Sequence, residues 1–253
     1  MRKVLESKKK TKSELRNAVW RRMLELRVAL PPYPIWGRIP NFVGAREAAE
    51  RLFAEPSWRR ATIVKVNPDS PQRWVRLRAL EEGKTLLMPT PRLREGFIII
   101  EPRSVPPALY ERVSTIRGAF EFGKVLRSVK ELSKVVSSID MIVEGSVAVN
   151  AYGERLGKGE GYGELEYAIL LELGIIEQNV LIATTVHDVQ VLDHRIPQDP
   201  YDVPVDVICT PTRTIKVVER GQRPSGLLWS LLDKEKIEAI PMLREFKSRH
   251  DVF

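Results

Sequence analysis

Apolar residues return every three or four positions at Leu15, Val19, Met23, Leu26 and Leu30, the repeat of a helix that buries one face. Thr11 or Ser13 stands ready to cap its first amides, and Pro31-Pro32 ends it. A second helical repeat covers residues 45–54. Further along, the pattern changes to short runs with apolar residues at consecutive positions: 61–66, 85–88, 97–100, 139–143, 147–149, 180–185 and 205–210. Such runs read as strands covered on both faces. Helical spacing lies between them, at 72–82 (opened by Ser70-Pro71, closed by Gly83), 108–116, 119–136 and 162–173. Two more helices, broken at Pro241, are expected within 227–247. The alternation predicts an α/β fold, an open sheet with helices on each side.

The chemistry concentrates in Arg155-Leu-Gly157-Lys158-Gly159-Glu160-Gly161-Tyr162-Gly163-Glu164, which runs straight into a helical pattern. Glycines let a backbone approach an anion, and the first amides of a helix have no partner of their own. The stretch therefore reads as a phosphate cradle with Arg155 and Lys158 beside it, or as a tight strand-to-helix turn that binds nothing. It matches neither the dinucleotide fingerprint nor the P-loop ending. In open α/β sheets, ligands bind beyond the carboxyl ends of the strands. This loop, following the run 147–149, is expected there.

Composition narrows the partners. The 253 residues are 43% apolar and carry a formal net charge of +8, which favours anionic ligands. Part of that excess is local, in Arg2, Lys3, Lys8, Lys9, Lys10 and Lys12. Without interleaved aromatics, the run reads as a solvated tail before it reads as a nucleic-acid arm. No apolar run approaches the roughly 20 residues needed to cross a bilayer, and no apolar signal core follows Met1. A cytoplasmic protein is expected. Cys209 is the only cysteine, which rules out an internal disulfide and leaves it a packing role.

Other candidates have competing readings. Lys12 and Arg16, four residues apart, share a helix face that either grips a polyphosphate or is simply solvated. His187, Asp188, Asp193 and His194 fit no standard zinc spacing and suit a strand-end loop. Asp199, Asp202 and Asp206 flank Pro200 and Pro204 in a proline-set turn, whose carboxylate at a strand start would help to place Mg²⁺. No G-x-S-x-G elbow or cysteine nucleophile is visible, so covalent acyl chemistry has no agent.

Residues 150–162, Asn-Ala-Tyr-Gly-Glu-Arg-Leu-Gly-Lys-Gly-Glu-Gly-Tyr, resemble the signature of the 5-formyltetrahydrofolate cyclo-ligase (methenyltetrahydrofolate synthetase) family. Lys12-Ser-Glu-Leu15-Arg16, Gly83-Lys84-Thr-Leu-Leu-Met-Pro89, His187-Asp-Val-Gln190 and residues 201–210 are similar to further family segments in the same order. Residues 37–44, 89–94, 157–168 and 223–229 resemble the family's methenyltetrahydrofolate synthetase domain-containing branch. Animal members of that branch add an RNA-recognition domain, which is not expected within these residues. The resemblance covers about residues 10–215. It suggests a basic tail at 1–10, a cyclo-ligase-like domain at 11–215 and a helical extension at 216–253.

The resemblance implies a three-layer α/β/α fold of the glucosamine-6-phosphate deaminase, ribose-5-phosphate isomerase and CoA-transferase type, with ATP, Mg²⁺ and a reduced folate or pterin as ligands. In that chemistry the formyl oxygen attacks the γ-phosphate of ATP, a neighbouring folate nitrogen closes the ring, and phosphate leaves. Lys12, Arg16, Arg155, Gly157, Lys158, Gly159, Glu160, Gly161 and Tyr162 would hold ATP, with Lys12 and Arg155 acting at the transferred phosphate. Glu164 and Asp206 would support the metal, and Ser70, Gln72 and Tyr162 would meet the substrate. Three positions depart from the family. The folate-binding glutamate segment has no acid at the expected place near Gln72, the second loop tyrosine is Gly163, and the leading aspartate is Asn150. A nucleotide-binding or RNA-associated regulatory protein is therefore the alternative to a cyclo-ligase.

Overall fold

The protein is described by a computed structural model that covers residues 10–250. Its centre is an eight-stranded sheet. In spatial order the strands are Thr214–Lys216, Val207–Cys209, Leu181–Thr185, Met141–Glu144, Ile63–Val66, Thr85–Pro89, Phe97–Ile100 and Lys124–Leu126. The five from Val207–Cys209 to Thr85–Pro89 are parallel; Phe97–Ile100 and the edge strand Thr214–Lys216 run against them, and Lys124–Leu126, antiparallel to Phe97–Ile100, runs with them again.

Alternate side chains of these strands feed two cores, one on each face. Val64, Leu86, Met88, Met141 and Val143 pack against the helices Ala45–Ala54, Arg73–Glu81 and Ile116–Phe122. Leu87, Phe97, Ile99, Ile142, Ile182 and Ile208 pack against Val129–Val135, Tyr162–Glu172 and Pro241–His250. This is the three-layer α/β/α arrangement anticipated from strands apolar at every position. Cys209 is buried in the first core, and burial pushes its thiol up to about 12. Residues beyond 216 join the second core through Ile240, Met242, Leu243 and Phe246.

A third core hangs off one end of the sheet. The helix Lys12–Glu25 buries Leu15, Val19, Trp20 and Met23 against Ile35, Ile39, Phe42, Val147 and Leu156. Thr11 caps it, accepting from the Glu14 amide while Glu14 reaches back to the Thr11 amide at 2.7 Å, a reciprocal pairing of two otherwise orphaned donors.

Three expected elements differ. The first helix stops at Glu25, because Arg27 turns to φ 55° and Leu30 goes into a two-residue ladder with Asn41–Phe42. The helical pattern at 119–136 is two helices, Ile116–Phe122 and Val129–Val135, around the edge strand Lys124–Leu126. A three-residue edge strand is too short to set its own period, so the flanking helical spacing hides it. The run 147–149 is not part of the central sheet. Ala148–Asn150 joins Arg155–Leu156 and Val191–Leu192 in a small sheet of its own, and this sheet presents the glycine loop. Among the described residues, no helix is long and apolar enough to cross a membrane.

Candidate functional site

The strand Arg155–Leu156 leads through Gly157–Gly161 into the helix Tyr162–Glu172. Gly161, the residue before that helix, lies at φ 76°, a backbone conformation that glycine adopts without the clash a Cβ brings. The turn aims the unpaired amides of the helix's first residues at the space in front of the loop.

Two basic residues brace the loop from behind. Arg16, on the N-terminal helix, donates from Nε to the Gly157 carbonyl at 2.7 Å. Half burial pushes its guanidinium below the usual arginine range. Arg155 is 4% exposed; its Nη1 donates to the Gly145 carbonyl at 2.9 Å and its Nη2 pairs with the Glu164 carboxylate. Burial opposes its charge, but Glu164 and Glu144 outweigh that and hold it above the ordinary value. Its Nε is buried without a hydrogen-bond partner. A buried guanidinium N–H left open is a costly feature unless a ligand completes it.

The loop is a wall between two cavities. The smaller, about 200 Å³, has Lys12, Arg16 and Arg155 on one side and an apolar back of Leu156, Leu165 and Ala168. The larger, about 620 Å³, is bounded by Trp36 and Arg38, by Asn67, Asp69 and Ser70, by Arg92 and Arg94, and by Lys158, Tyr162 and Glu166. Arg155, Gly157, Glu160, Gly161 and Glu164 face both. The branch-like segments 37–44 and 89–94 thus converge on the larger cleft, and 223–229 on the smaller cavity.

A buried charge cluster makes part of the larger cleft's floor. Lys65 and Glu144, each the inward-facing polar residue of an otherwise apolar strand, meet at 2.7 Å. Lys65 also pairs with Glu166 and donates to Asn67 at 2.6 Å, and Asn67 donates to Glu144 at 3.0 Å. Glu166 and Asn67 reach the cleft. Burial pushes the Glu166 carboxyl up to about 7. Behind the cluster, the buried Arg76 holds the Asn67 carbonyl, the Asp69 carbonyl at 3.0 Å and the Ser114 carbonyl at 2.7 Å, fixing the turn that carries Asp69 into the cleft. Burial drives the Arg76 guanidinium down to about 9 and the Asp69 carboxyl up.

The sequence candidates distribute unevenly around this geometry. Lys12, Arg16, Arg155, Gly157, Gly159, Glu160, Gly161 and Glu164 come together at the smaller cavity, and Ser70, Lys158 and Tyr162 line the larger. Lys12 is held by Asp199 at 2.6 Å and by Asp202, under the Tyr201 ring. Lys158 pairs with Glu160 at 3.0 Å, and Arg92 pairs with the same carboxylate at 3.0 Å. Two candidates are placed elsewhere. Gln72 is fully buried, donating to the Thr185 hydroxyl at 3.1 Å, and faces neither cavity. Asp206 is paired with Arg220 at 2.7 Å and Arg223 at 2.6 Å and caps the Ile182 amide at 2.8 Å, so the structure does not bring it to Glu164.

The histidine-rich stretch is structural. His187 caps the turn Asp188–Gln190, and Asp188 accepts from the Thr210 and Thr212 hydroxyls at 2.6 Å. His194 pairs with Asp193 at 2.9 Å. Among the described residues, no group of three or more histidine, cysteine or acidic side chains is arranged to hold a metal. A nucleotide-bound Mg²⁺ makes a smaller demand, because phosphates and waters supply most of its ligands and one or two carboxylates suffice. Glu164 and Asp69 both line the larger cleft, and Glu164 is already paired with Arg155. Of the basic tail, Arg2, Lys3, Lys8 and Lys9 lie outside the described residues.

Sequence reading missed Asp69, Lys65, Asn67, Glu144 and Glu166. The available signal was a lysine inside the apolar run 61–66 and a glutamate directly after 139–143. Buried charges of that kind are kept where they are paired, commonly at a site.

The sequence model of the 5-formyltetrahydrofolate cyclo-ligase family matches residues 8–211. The chain belongs to that family. Its sequence is 38% identical over 246 residues to the methenyltetrahydrofolate synthase domain-containing protein of Bos taurus, covering 95% of this chain and 63% of that one. With the protein of the same name from Mus musculus it is 39% identical, over 94% of this chain and 64% of the relative. The chain therefore spans under two thirds of the length of these relatives. The NMR structure of Aquifex aeolicus 5,10-methenyltetrahydrofolate synthetase superposes with a TM-score of 0.50 at 20% identity, over 83% of this chain and 95% of the other. That likeness shows the shared α/β fold of the cyclo-ligase family.

Proposed function

We propose that this chain is an ATP- and Mg²⁺-dependent cyclo-ligase that converts 5-formyltetrahydrofolate, or a related reduced pterin, to its 5,10-methenyl form. The observation that carries this reading is the glycine loop standing between two cavities, with the open Nε of Arg155 beside it. A ligase that joins nucleotide chemistry to a second substrate needs two binding spaces that meet at the transferred phosphate. Membership of the cyclo-ligase family supports the choice of substrates.

In the proposed reaction the formyl oxygen attacks the γ-phosphorus and the bond to the β-phosphate oxygen breaks, releasing ADP. The neighbouring ring-substituent nitrogen then bonds to the activated carbon, gives up its proton, and the C–O bond breaks to release phosphate. No protein nucleophile is required. The loop amides and Arg155 neutralise charge as it gathers on the transferred group, while Arg16 keeps the loop in register, so the protein acts by positioning and preorganised electrostatics. Glu164 and Asp69, which line the cleft beside the loop, would hold Mg²⁺, which would supply shielding of the phosphate charge. The polar floor of Asn67 and Glu166 suits the donor-rich edge of a pterin.

The test is formation of the methenyl product, followed by its ultraviolet absorbance, with enzyme at substrate concentration. Appearance of product that requires both ATP and Mg²⁺ is the expected result. If no product forms under those conditions, the cyclo-ligase reading is wrong.

A further inference from the structure

The family match ends at residue 211, yet the smaller cavity takes much of its wall from residues after that point. Pro224, Gly226, Leu227, Leu228, Leu232 and Lys236 close it from the C-terminal side. This arm is pinned at both ends. Arg223 is 4% exposed and donates to the Pro204 carbonyl at 3.0 Å, to the Val180 carbonyl at 2.6 Å and to the Asp206 carboxylate at 2.6 Å. The Leu227 amide donates to Glu172 at 3.0 Å, and Ile237 and Ile240 are buried. The arm is therefore built into the fold. The matches to the bovine and murine relatives, over 94% or more of the chain, extend through it.

The wall has a definite chemical character. Leucines of the arm share the lining with Leu156, Leu165 and Ala168, and the cations Lys12, Arg16, Arg155 and Lys236 share it with the carboxylates Glu160, Glu164 and Asp202. Lys12 is paired with Asp202 and Arg155 with Glu164, while Arg16 and Lys236 stand against the glycine loop. Lys236 stands 5.8 Å from the centre of the Tyr162 ring, over the loop's helix end. An apolar slot with Arg16 and Lys236 at the loop beyond the paired Lys12 and Arg155 fits a ligand with a flat apolar end and an anionic end. The open buried Nε of Arg155, a second observation beside the helix terminus, points to the anionic end lying at the loop. A space of about 200 Å³ accommodates a purine ring.

We propose that the C-terminal arm, residues 224–236, makes the smaller cavity a purine pocket, so that this chain holds the base of its nucleotide with a segment lying outside the family's common core. The proposal rests on the phosphate reading of the glycine loop and adds the identity of the space behind it. Base recognition then depends on Leu228 and Leu232, while phosphate recognition depends on Arg155 and the loop amides.

Calorimetric titration of the full chain with Mg-ATP, Mg-CTP and inorganic tripolyphosphate separates the two claims. The expected order is ATP tightest, with tripolyphosphate weaker by about tenfold to a hundredfold, the return for burying a ring's apolar surface. Leu228→Trp, which fills the pocket, should bring ATP down to the tripolyphosphate level. Leu231→Asp, at a half-exposed arm position that folding tolerates, should weaken ATP in the same direction. Tripolyphosphate binding with ATP no tighter, or ATP affinity untouched by both substitutions, would overturn the purine pocket while leaving the phosphate site standing. Equal affinity for ATP and CTP would also overturn it. Failure of both ATP and tripolyphosphate to bind would overturn the phosphate reading and the pocket together.

Discussion

Arg16 reaches across 141 residues of sequence to donate to the Gly157 carbonyl at 2.7 Å. Through that one bond the N-terminal helix, with its capping box and its own small core, sets the position of a loop made at the far end of another sheet. A flexible glycine loop gains order from such a tie. The helix thereby becomes part of the site without its cations needing to reach the centre of the cleft.

Replacing Arg16 by alanine removes a charge-assisted hydrogen bond of a kind that contributes about 1.5–3 kcal/mol. Because the bond is already made without ligand, the melting temperature is expected to fall by a few degrees, and nucleotide affinity by roughly tenfold as the loop loses its order. Arg16→Lys keeps the charge and loses the fixed Nε–H geometry, so it should recover only part of the affinity. Calorimetric titration with Mg-ATP reads both.

Arg155→Ala should act on stability and binding together. It leaves the Glu164 carboxylate without its partner and weakens the field that favours ionised Glu144. Removing one member of a buried pair costs about 3–5 kcal/mol. A fall of several degrees in melting temperature and loss of measurable ATP binding are expected; an unchanged melting temperature would show that Arg155 is not the buried keystone described.

Gly163 explains why the family's second loop tyrosine is absent. A Cβ at that position would stand 2.9 Å from Glu144 Oε2 and 3.3 Å from Arg155 Nη2. Glu144 is locked by Lys65 and Asn67 and cannot swing away. Gly163→Tyr is therefore expected to destabilise the fold by about 1–3 kcal/mol through overpacking, and not to improve catalysis. Denaturant unfolding and the methenyl assay check the two halves.

The buried cluster predicts a pH signature. Burial raises the Glu166 carboxyl from its unfolded value of 4.5 to about 7. The folded state therefore holds its proton more tightly than the unfolded chain. The resulting stabilisation is complete below about 4.5 and is lost as pH rises through about 7. Glu166→Gln keeps the shape without the titration. Its melting temperature relative to the parent should be lowest at acid pH and improve between pH 5 and 7; parallel profiles would mean Glu166 titrates normally.

Much of this fold was legible because five parallel strands buried on both faces are mostly apolar. The strand-to-helix turn at the glycine loop was legible from its spacing, which by itself left a phosphate cradle and a tight turn that binds nothing both open. The chain concealed what depends on distant partners. Lys65 and Glu144 are single polar residues in apolar strands, and only the parallel register of Ile63–Val66 against Met141–Glu144 brings them under Glu166. Gln72 misled for a related reason. Its position matches a family segment, but the turn Ser70–Gln72 rotates it into the core and leaves Asp69 facing the cleft. Asp206 looked like a metal carboxylate until Arg220 and Arg223, from a segment with no helical or strand pattern, closed over it.

Polyphosphate is expected to lie on the Gly157–Gly161 loop between the two cavities. A crystal structure of the chain with Mg²⁺ and a non-hydrolysable ATP analogue tests it directly. Phosphate oxygens are expected within hydrogen-bond distance of the loop amides and of Arg155. Phosphates bound elsewhere, with the loop and Arg155 unchanged and open, would contradict it.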